Sequence, residues 1–330
     1  MIYDCFTFFN ELDLLEIRLN TLNDVVDRFV IAEATRTYSG KPKELLFEKN
    51  RERYAAFADK ITYIVVDDLL PEEEISKDAF HLPWVNENRQ RNALIQGLSA
   101  ASDDDVLMVS DLDEIPRPEK IAEAVDLARR GEVVRFVMSV FSYYVNFKNY
   151  QTPWWYLGTQ MMSMRTFHTN AQFDNFNYDR FTTASECQGR VIQKVRFLKP
   201  SKLIKDGGWH MGYLGGLAAI KAKLRAFSHC EALAVMDEVE QRLKRGVNIF
   251  GGKHDNFAVP LDDTFPSFLL AERNRFAHLI APCDQEYVSR TRYARMRAYI
   301  RGAIYRRLVA LVPKCLVGVL SQLRIRLHFR

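Results

Sequence analysis

Val106-Leu107-Met108-Val109-Ser110-Asp111-Leu112-Asp113-Glu114-Ile115-Pro116 is the stretch on which the fold turns. Its first four residues are apolar and β-branched at both ends, which predicts a short strand buried on both faces. The strand runs into Ser110 and then three acids within four residues. Pro116 and Pro118 follow and stop any further ladder. In an open α/β sheet the ligand site lies beyond the carboxyl ends of the strands. The acids therefore stand where a ligand would be. Asp111 and Asp113, two residues apart in extended chain, can point the same way and offer oxygens to a hard cation such as Mg²⁺ or Mn²⁺. Three acids after a strand also suit a solvated turn, but an apolar strand delivering them into a Pro-bounded loop favours the metal role.

Outward from this stretch the chain alternates. Ile2 to Phe8 reads as strand one, Leu12 to Leu22 as a helix with leucines at helical spacing, and Arg28 to Ala34 as strand two. A polar loop, Thr35 to Lys43, leads toward strand three at Ile61 to Val66. Glu87 to Ala100 reads as a helix carrying Arg89, Arg91 and Asn92. After the central strand come a helix from about Pro118 to Arg130 and a strand from Val133 to Val140. This βαβαβ rhythm implies a parallel, nucleotide-type sheet flanked by helices. No glycine-rich phosphate loop of either standard pattern is present. A bound nucleotide's diphosphate would have to be neutralised by a metal and basic side chains, which leads back to Asp111 and Asp113.

The 330 residues allow one large domain or two smaller ones. The five cysteines are scattered, without a C-x-x-C, which argues against a disulfide framework or zinc site and for a reducing compartment. The first residues lack a basic n-region and meet Asp4, so they do not read as a signal peptide. The net charge of +4 conceals a division, because residues 287–330 hold eleven Lys/Arg and no acid. The preceding residues carry 35 basic and 42 acidic side chains. Within the tail, Leu308 to Leu320 is apolar but short and broken by Pro313 and Lys314, so it cannot span a bilayer. A basic, apolar-faced helical tail over 286–330 suits an anionic membrane surface. It equally suits a helix packed on the domain with solvated arginines. Nucleic acid is disfavoured by the acidic body and the lack of a recognition motif.

Several separated motifs carry a resemblance. F-F-N-E-L-D-L-L-E-I-R-L (Phe8 to Leu19), A-E-A-T-x-T-x-S-G-K-P-K (Ala32 to Lys43), S-D-L-D-E-I-P, G-G-W-H-M-G-Y-L-G-G (Gly207 to Gly216) and K-L-R-A-F-S-H (Lys223 to His229) resemble glycosyltransferase family 17. The resemblance runs over roughly Met1 to Ile280 and leaves out the basic tail. It implies a GT-A type fold over residues 1–285, with a nucleotide-sugar half (1–145) and an acceptor half (146–285). It also implies a UDP-sugar donor, UDP-N-acetylglucosamine being the family's known one, a divalent metal, a glycan acceptor and inversion at the anomeric carbon.

The chemistry assigns candidate roles. A metal bridging two phosphates would stabilise the charge growing on the leaving diphosphate. Asp113 is the first choice for direct ligand, Asp111 for the ribose or the metal's water, and Glu114 for support behind them. Phe6, Asn10 and Glu11, at the end of strand one, would border the nucleoside, and Glu33, at the end of strand two, is a further candidate. Arg89 would suit phosphate or uracil, or be a solvated helix charge. His210, in its Gly-Gly-Trp setting, would complete the metal's coordination, by resemblance and by the suitability of imidazole for Mn²⁺. Trp209 would stack on a sugar or fill core, and His229 would serve the diphosphate or cap a helix. The aromatic run Tyr150 to Tyr156 would border the acceptor or be core. Asp206 and Glu186 are the candidates for the general base that inversion needs.

Family members that modify N-glycans are membrane-anchored Golgi proteins, whereas this chain opens at strand one. The expectation is a cytoplasmic enzyme, peripheral at the inner face of the membrane, acting on a surface or lipid-linked glycan. Two other classes compete. A metal-dependent phosphohydrolase would also use a strand followed by D-x-D, but on its first strand rather than the fourth. A non-catalytic membrane-surface protein would make the tail the function and leave the acids solvated.

Overall fold

In the computed structural model, residues 1–171, 191–196, 198–228, 230–249 and 256–283 are described, with isolated positions at 296, 300 and 303. Glu186, His229 and the basic tail apart from those three positions lie outside them. Strands β1 (Ile2–Phe8), β2 (Arg28–Ala34), β3 (Ile61–Val66) and β4 (Val106–Asp111) form a parallel block in the order β3-β2-β1-β4. Helices α1 (Leu12–Leu22), α2 (Leu82–Ala93) and α3 (Pro118–Arg129) cover its faces. The alternating side-chain directions of the strands explain the two-sided packing. Phe6 and Phe8 join Met108, Leu15, Leu19 and Ile121 on one face. Tyr3 and Cys5 join Leu107, Val109, Leu94 and Leu98 on the other. Each such apolar side chain stabilises the fold by about 1.5–3 kcal/mol when buried.

Beyond β4 the sheet departs from the parallel expectation. Strand β6 (Val134–Ser142) does not lie beside β4. A short strand, β9 (Gln160–Ser163), is inserted between them, antiparallel to both. Four residues give too little pattern to reveal such a strand in the sequence. Glu114–Pro116, read as open loop, is a three-residue strand, β5, paired antiparallel with β10 (Lys202–Gly212). β10 also runs parallel to β6, with a bulge between Ile204 and Gly208. The short strands β7 (Phe147–Asn149), β8 (Trp154–Trp155) and β11 (Asn256–Ala258) complete one sheet. The result is a mixed α/β architecture with a large sheet. Among the described residues no helix is long and apolar enough to cross a membrane.

Candidate active site

The acid loop is held from below by a buried arginine. Asp4 shares a strand face with Phe6 and Phe8, and that face looks at α1, where Arg18 is fully buried. Arg18 donates Nε to Asp4 Oδ2 at 2.9 Å and Nη2 to Asp4 Oδ1 at 2.6 Å and Ser110 Oγ at 2.7 Å. Its Nη1 donates to the carbonyls of Asp111, Leu112 and Glu114 at 3.0, 3.1 and 2.8 Å. Its guanidinium lies 4.5 Å over the Phe6 ring. One side chain thereby fixes the backbone from Asp111 to Glu114. Phe6 is consumed by this packing and has no surface to offer a nucleoside.

Above the loop the three acids have separate surroundings. Asp111 takes Arg91 Nη2 on Oδ1 at 2.6 Å and Arg196 Nη1 on Oδ2 at 2.7 Å. Burial would raise its carboxyl, but Arg196 and then Arg91 outweigh this and hold it well below the usual carboxylate range. Both oxygens are thus engaged by guanidinium groups, which makes Asp111 an anchor and not a ready metal ligand. Glu114 is fully buried. Its Oε1 accepts from Arg196 Nη2 at 2.7 Å and Trp155 Nε1 at 2.6 Å, and its Oε2 accepts from the Asp111 amide at 3.1 Å. Desolvation pushes its carboxyl upward despite Arg196. Asp113 has a different neighbourhood. Its Oδ2 lies 3.1 Å from Lys223 Nζ, and its Oδ1 lies 3.8 Å from His210 Nε2.

β10 and the helix after it supply this last pair. A Cβ on Gly208 would stand 2.1 Å from the Ile115 carbonyl oxygen, so only glycine lets β10 come this close to β5. The register then sets His210 opposite Glu114 and Trp209 opposite Ile115. Successive side chains alternate, so the two residues part. His210 faces the acids with its ring 4.7 Å from that of Trp155. Trp209 turns into the core, donates Nε1 to the Thr264 carbonyl at 3.1 Å and carries Arg117 over its ring at 4.3 Å. It fills core and does not meet a sugar. From helix α4 (Gly216–Ala226), Lys223 reaches Asp113 and, at 2.9 Å, Glu11 Oε1. Asn10, beside it, donates its amide to Glu11 Oε2 at 3.0 Å.

Three further candidates stand apart from the acids. Glu33 is fully buried and fully used: it accepts from Lys43 Nζ, the amides of Leu46 and Phe47, and the Tyr63 hydroxyl at 2.7–3.0 Å. It fixes the turn after β2. Arg89 is exposed and donates to the Asp68 carbonyl at 2.7 Å. Arg91 comes to the site instead, since two helix positions are about 200° apart. Asp206, in a left-handed conformation at the β10 bulge (φ 50°), is exposed and paired with Arg117 at 3.3 Å.

Sequence reading missed Arg91, Arg196, Lys223 and the Arg18 clamp, and left Trp155 undecided. One signal pointed to Arg91. Helix α2 reads W-V-N-E-N-R-Q-R-N, too polar to cover a sheet by apolar packing, yet Asn86, Glu87, Gln90 and Arg91 are buried. Gln90 Nε2 donates to the carbonyls of Phe8 and Ala32 at 3.2 and 2.8 Å, so α2 crosses the carboxyl ends of β1 and β2. Arg91 also takes Glu87 Oε1 at 3.0 Å, and Glu87 accepts from Ser228 Oγ.

The Asp111 anchor has a pH signature. Its folded carboxyl lies below the ordinary value of about 4, so the stability it contributes is present above that value and is lost as pH falls toward the depressed one. Asp111→Asn should therefore lower the urea midpoint at pH 7, and the gap from wild type should narrow by about pH 2. A gap of constant size would show that the two guanidinium contacts do not set the carboxyl's charge.

The glycosyltransferase family 17 model matches residues 1–197, which include Glu11, Arg91, the acid loop and Arg196 and end before β10. Two curated relatives, the human and rat β-1,4-mannosyl-glycoprotein 4-β-N-acetylglucosaminyltransferases, are each 33% identical over 113 residues. That segment is 32% of this chain and spans only 20% of either relative. Among solved structures, TarS of S. aureus (residues 1–349) aligns over 99% of this chain and 88% of its own at 11% identity, with a TM-score of 0.38. A likeness that loose carries no argument, and the assignment rests on the family match, which takes in more than half of the sequence: the chain belongs to glycosyltransferase family 17.

Proposed function

We propose that this chain is an inverting, metal-assisted glycosyltransferase on a GT-A type scaffold. It takes a sugar, N-acetylglucosamine, from a UDP-linked donor and passes it to a hydroxyl of a glycan acceptor. Family membership and the N-acetylglucosaminyltransferase relatives support the donor. The observation that carries the reading is the pairing of Asp113 with His210 beyond the carboxyl end of β4, where a ligand of an open α/β sheet belongs.

The donor set there suits a divalent ion. At 3.8 Å, Asp113 Oδ1 and His210 Nε2 are too far apart for a hydrogen bond, yet each lies within reach of an ion placed about 2.1 Å from both. Gly212 keeps the space beside them open, since a Cβ on it would come within 3.7 Å of His210 Nε2 and 3.9 Å of Asp113 Oδ2. Among the described residues His210 Nδ1 is buried with no partner. Among the described residues no three His, Cys, Asp or Glu side chains converge on one point. Asp113 and His210 would hold such an ion on this side only, which would leave room for phosphate and water, the usual habit of Mg²⁺-like ions. Once bound, it would offset charge on the leaving diphosphate. The protein's own part is to hold the acids still through Arg18, to keep Asp111 ionised through Arg91 and Arg196, and to orient His210 against Trp155.

The test is release of UDP from UDP-N-acetylglucosamine by the full chain with Mn²⁺, since donor hydrolysis needs no known acceptor. Turnover that stops on chelation and falls in His210→Ala is the expected result. No turnover, together with no metal-dependent UDP binding by calorimetry, would sink the donor assignment.

A further inference from the structure

We propose that Lys223 is the built-in counter-cation of the acid cluster: its ammonium clasps Asp113 to Glu11, and it and a divalent ion exclude one another at Asp113. Five carboxyls, those of Glu11, Glu87, Asp111, Asp113 and Glu114, gather here among the described residues, against the cations of Arg91, Arg196 and Lys223. Each arginine is locked by bidentate or double contacts. Lys223 is held differently, through a single ammonium nitrogen shared by two carboxylates, at 2.9 Å to Glu11 and 3.1 Å to Asp113. A lysine ammonium is a compact charge on a flexible stem, and it can be moved where a guanidinium fork cannot.

Its place is that of an ion. It bridges two carboxylate oxygens from different strand ends, and one of them belongs to the residue that pairs with His210. With the ammonium in between, Glu11 and Asp113 are kept from a shared ligand. Without it, Glu11 and Asp113 would face one another around uncompensated charge, with His210 on the other side of Asp113. Burial alone would lower the ammonium's proton affinity, but Asp113 and Glu11 outweigh it and keep Lys223 charged. An alternative seat exists, because Nζ lies 5.6 Å from the centroid of the Tyr213 ring, within reach of a cation–π contact. An ion arriving at Asp113 can therefore shift Lys223 toward Glu11 and Tyr213 without expelling it into water.

This inference rests on the donor-site reading for its purpose, but its test contains no nucleotide. Mn²⁺ is titrated into the full chain and free Mn²⁺ is read by electron paramagnetic resonance. The set comprises wild type, Lys223→Gln, Lys223→Arg and the double variant Lys223→Gln/Asp113→Asn. Removing a unit charge a few ångströms from the ion should tighten Mn²⁺ binding in Lys223→Gln at least about tenfold. Lys223→Arg should stay near wild type, and the double variant should lose the gain. If Lys223→Gln is less stable, its melting temperature should rise more with Mn²⁺ than that of wild type. Equal Mn²⁺ affinity in wild type and Lys223→Gln, including no binding by either, overturns the proposal, as does a gain that survives Asp113→Asn. Mutual exclusion with neither UDP release nor metal-dependent UDP binding would refute the donor reading alone, and UDP release without exclusion would refute this one alone.

Discussion

Arg18→Met should lower the unfolding free energy by about 3–5 kcal/mol, the usual cost of breaking a buried ion pair from one side. All five N–H groups of Arg18 are engaged, and the side chain is fully buried. Methionine fills much of the volume but leaves the Asp4 carboxylate in the core with no counter-charge. It also strips three carbonyls of the acid loop and the Ser110 hydroxyl of their donor. Since whole domains are stable by only about 5–15 kcal/mol, roughly a fifth or more of the total is at stake. Asp4→Leu combined with Arg18→Met should recover part of the loss by removing the orphaned charge. What remains measures the loop clamp, at about 1.5–3 kcal/mol for a hydrogen bond from a charged donor. Chemical denaturation of the three proteins gives the numbers. A single variant within about 1 kcal/mol of wild type would show that the loop does not depend on Arg18.

Asp113→Asn should cut donor turnover by about 10²–10³-fold, the loss typical of deleting one electrostatic element aimed at developing charge. The fold should survive it. Asp113 sits at the edge of the cluster, its side chain touching Lys223 and His210, whereas the loop backbone is held by Arg18. Asparagine keeps the shape and removes the charge that attracts a cation. Glu33→Gln is the informative contrast. Glu33 accepts four hydrogen bonds around the turn after β2, so its neutralisation should cost stability and leave turnover per folded molecule unchanged. UDP release and thermal melting on both variants separate the two effects. Wild-type turnover in a folded Asp113→Asn protein would remove the acid loop from the chemistry.

The parallel block was legible because it is written in long apolar runs with one period each. β1, β2, β3 and β4 begin where the pattern begins, and the expected helix at Glu87 starts only five residues earlier, at Leu82. Shorter strands escaped. β5 has three residues and β9 four, and what defines them is pairing with distant segments, which no local pattern encodes. The site divides the same way. The acids announced themselves by crowding, and the close approach at Gly208 was implied by its Gly-Gly setting. The cations did not. Arg91 and Arg89 are equivalent in composition and differ only in helix phase, while Arg196 and Lys223 reach the acids from 82 to 110 residues away. Asp4 and Arg18 each look like an ordinary surface charge until the alternation of β1 and the facing side of α1 are considered together.

The interleaved topology also sets an order of assembly. β1, α1 and β4 leave the ribosome by residue 116, together with Asp4, Arg18 and the whole acid loop. Arg196, β10 with His210, and Lys223 emerge about a hundred residues later and complete both the sheet and the charge balance. A nascent chain ending near residue 170 thus carries an anionic loop tied down from beneath by Arg18 and met from above only by Arg91 and Trp155. The last strand to pair with the loop is also the one that brings His210 to Asp113, so the acid loop gains its full set of neighbours only after the sheet is closed.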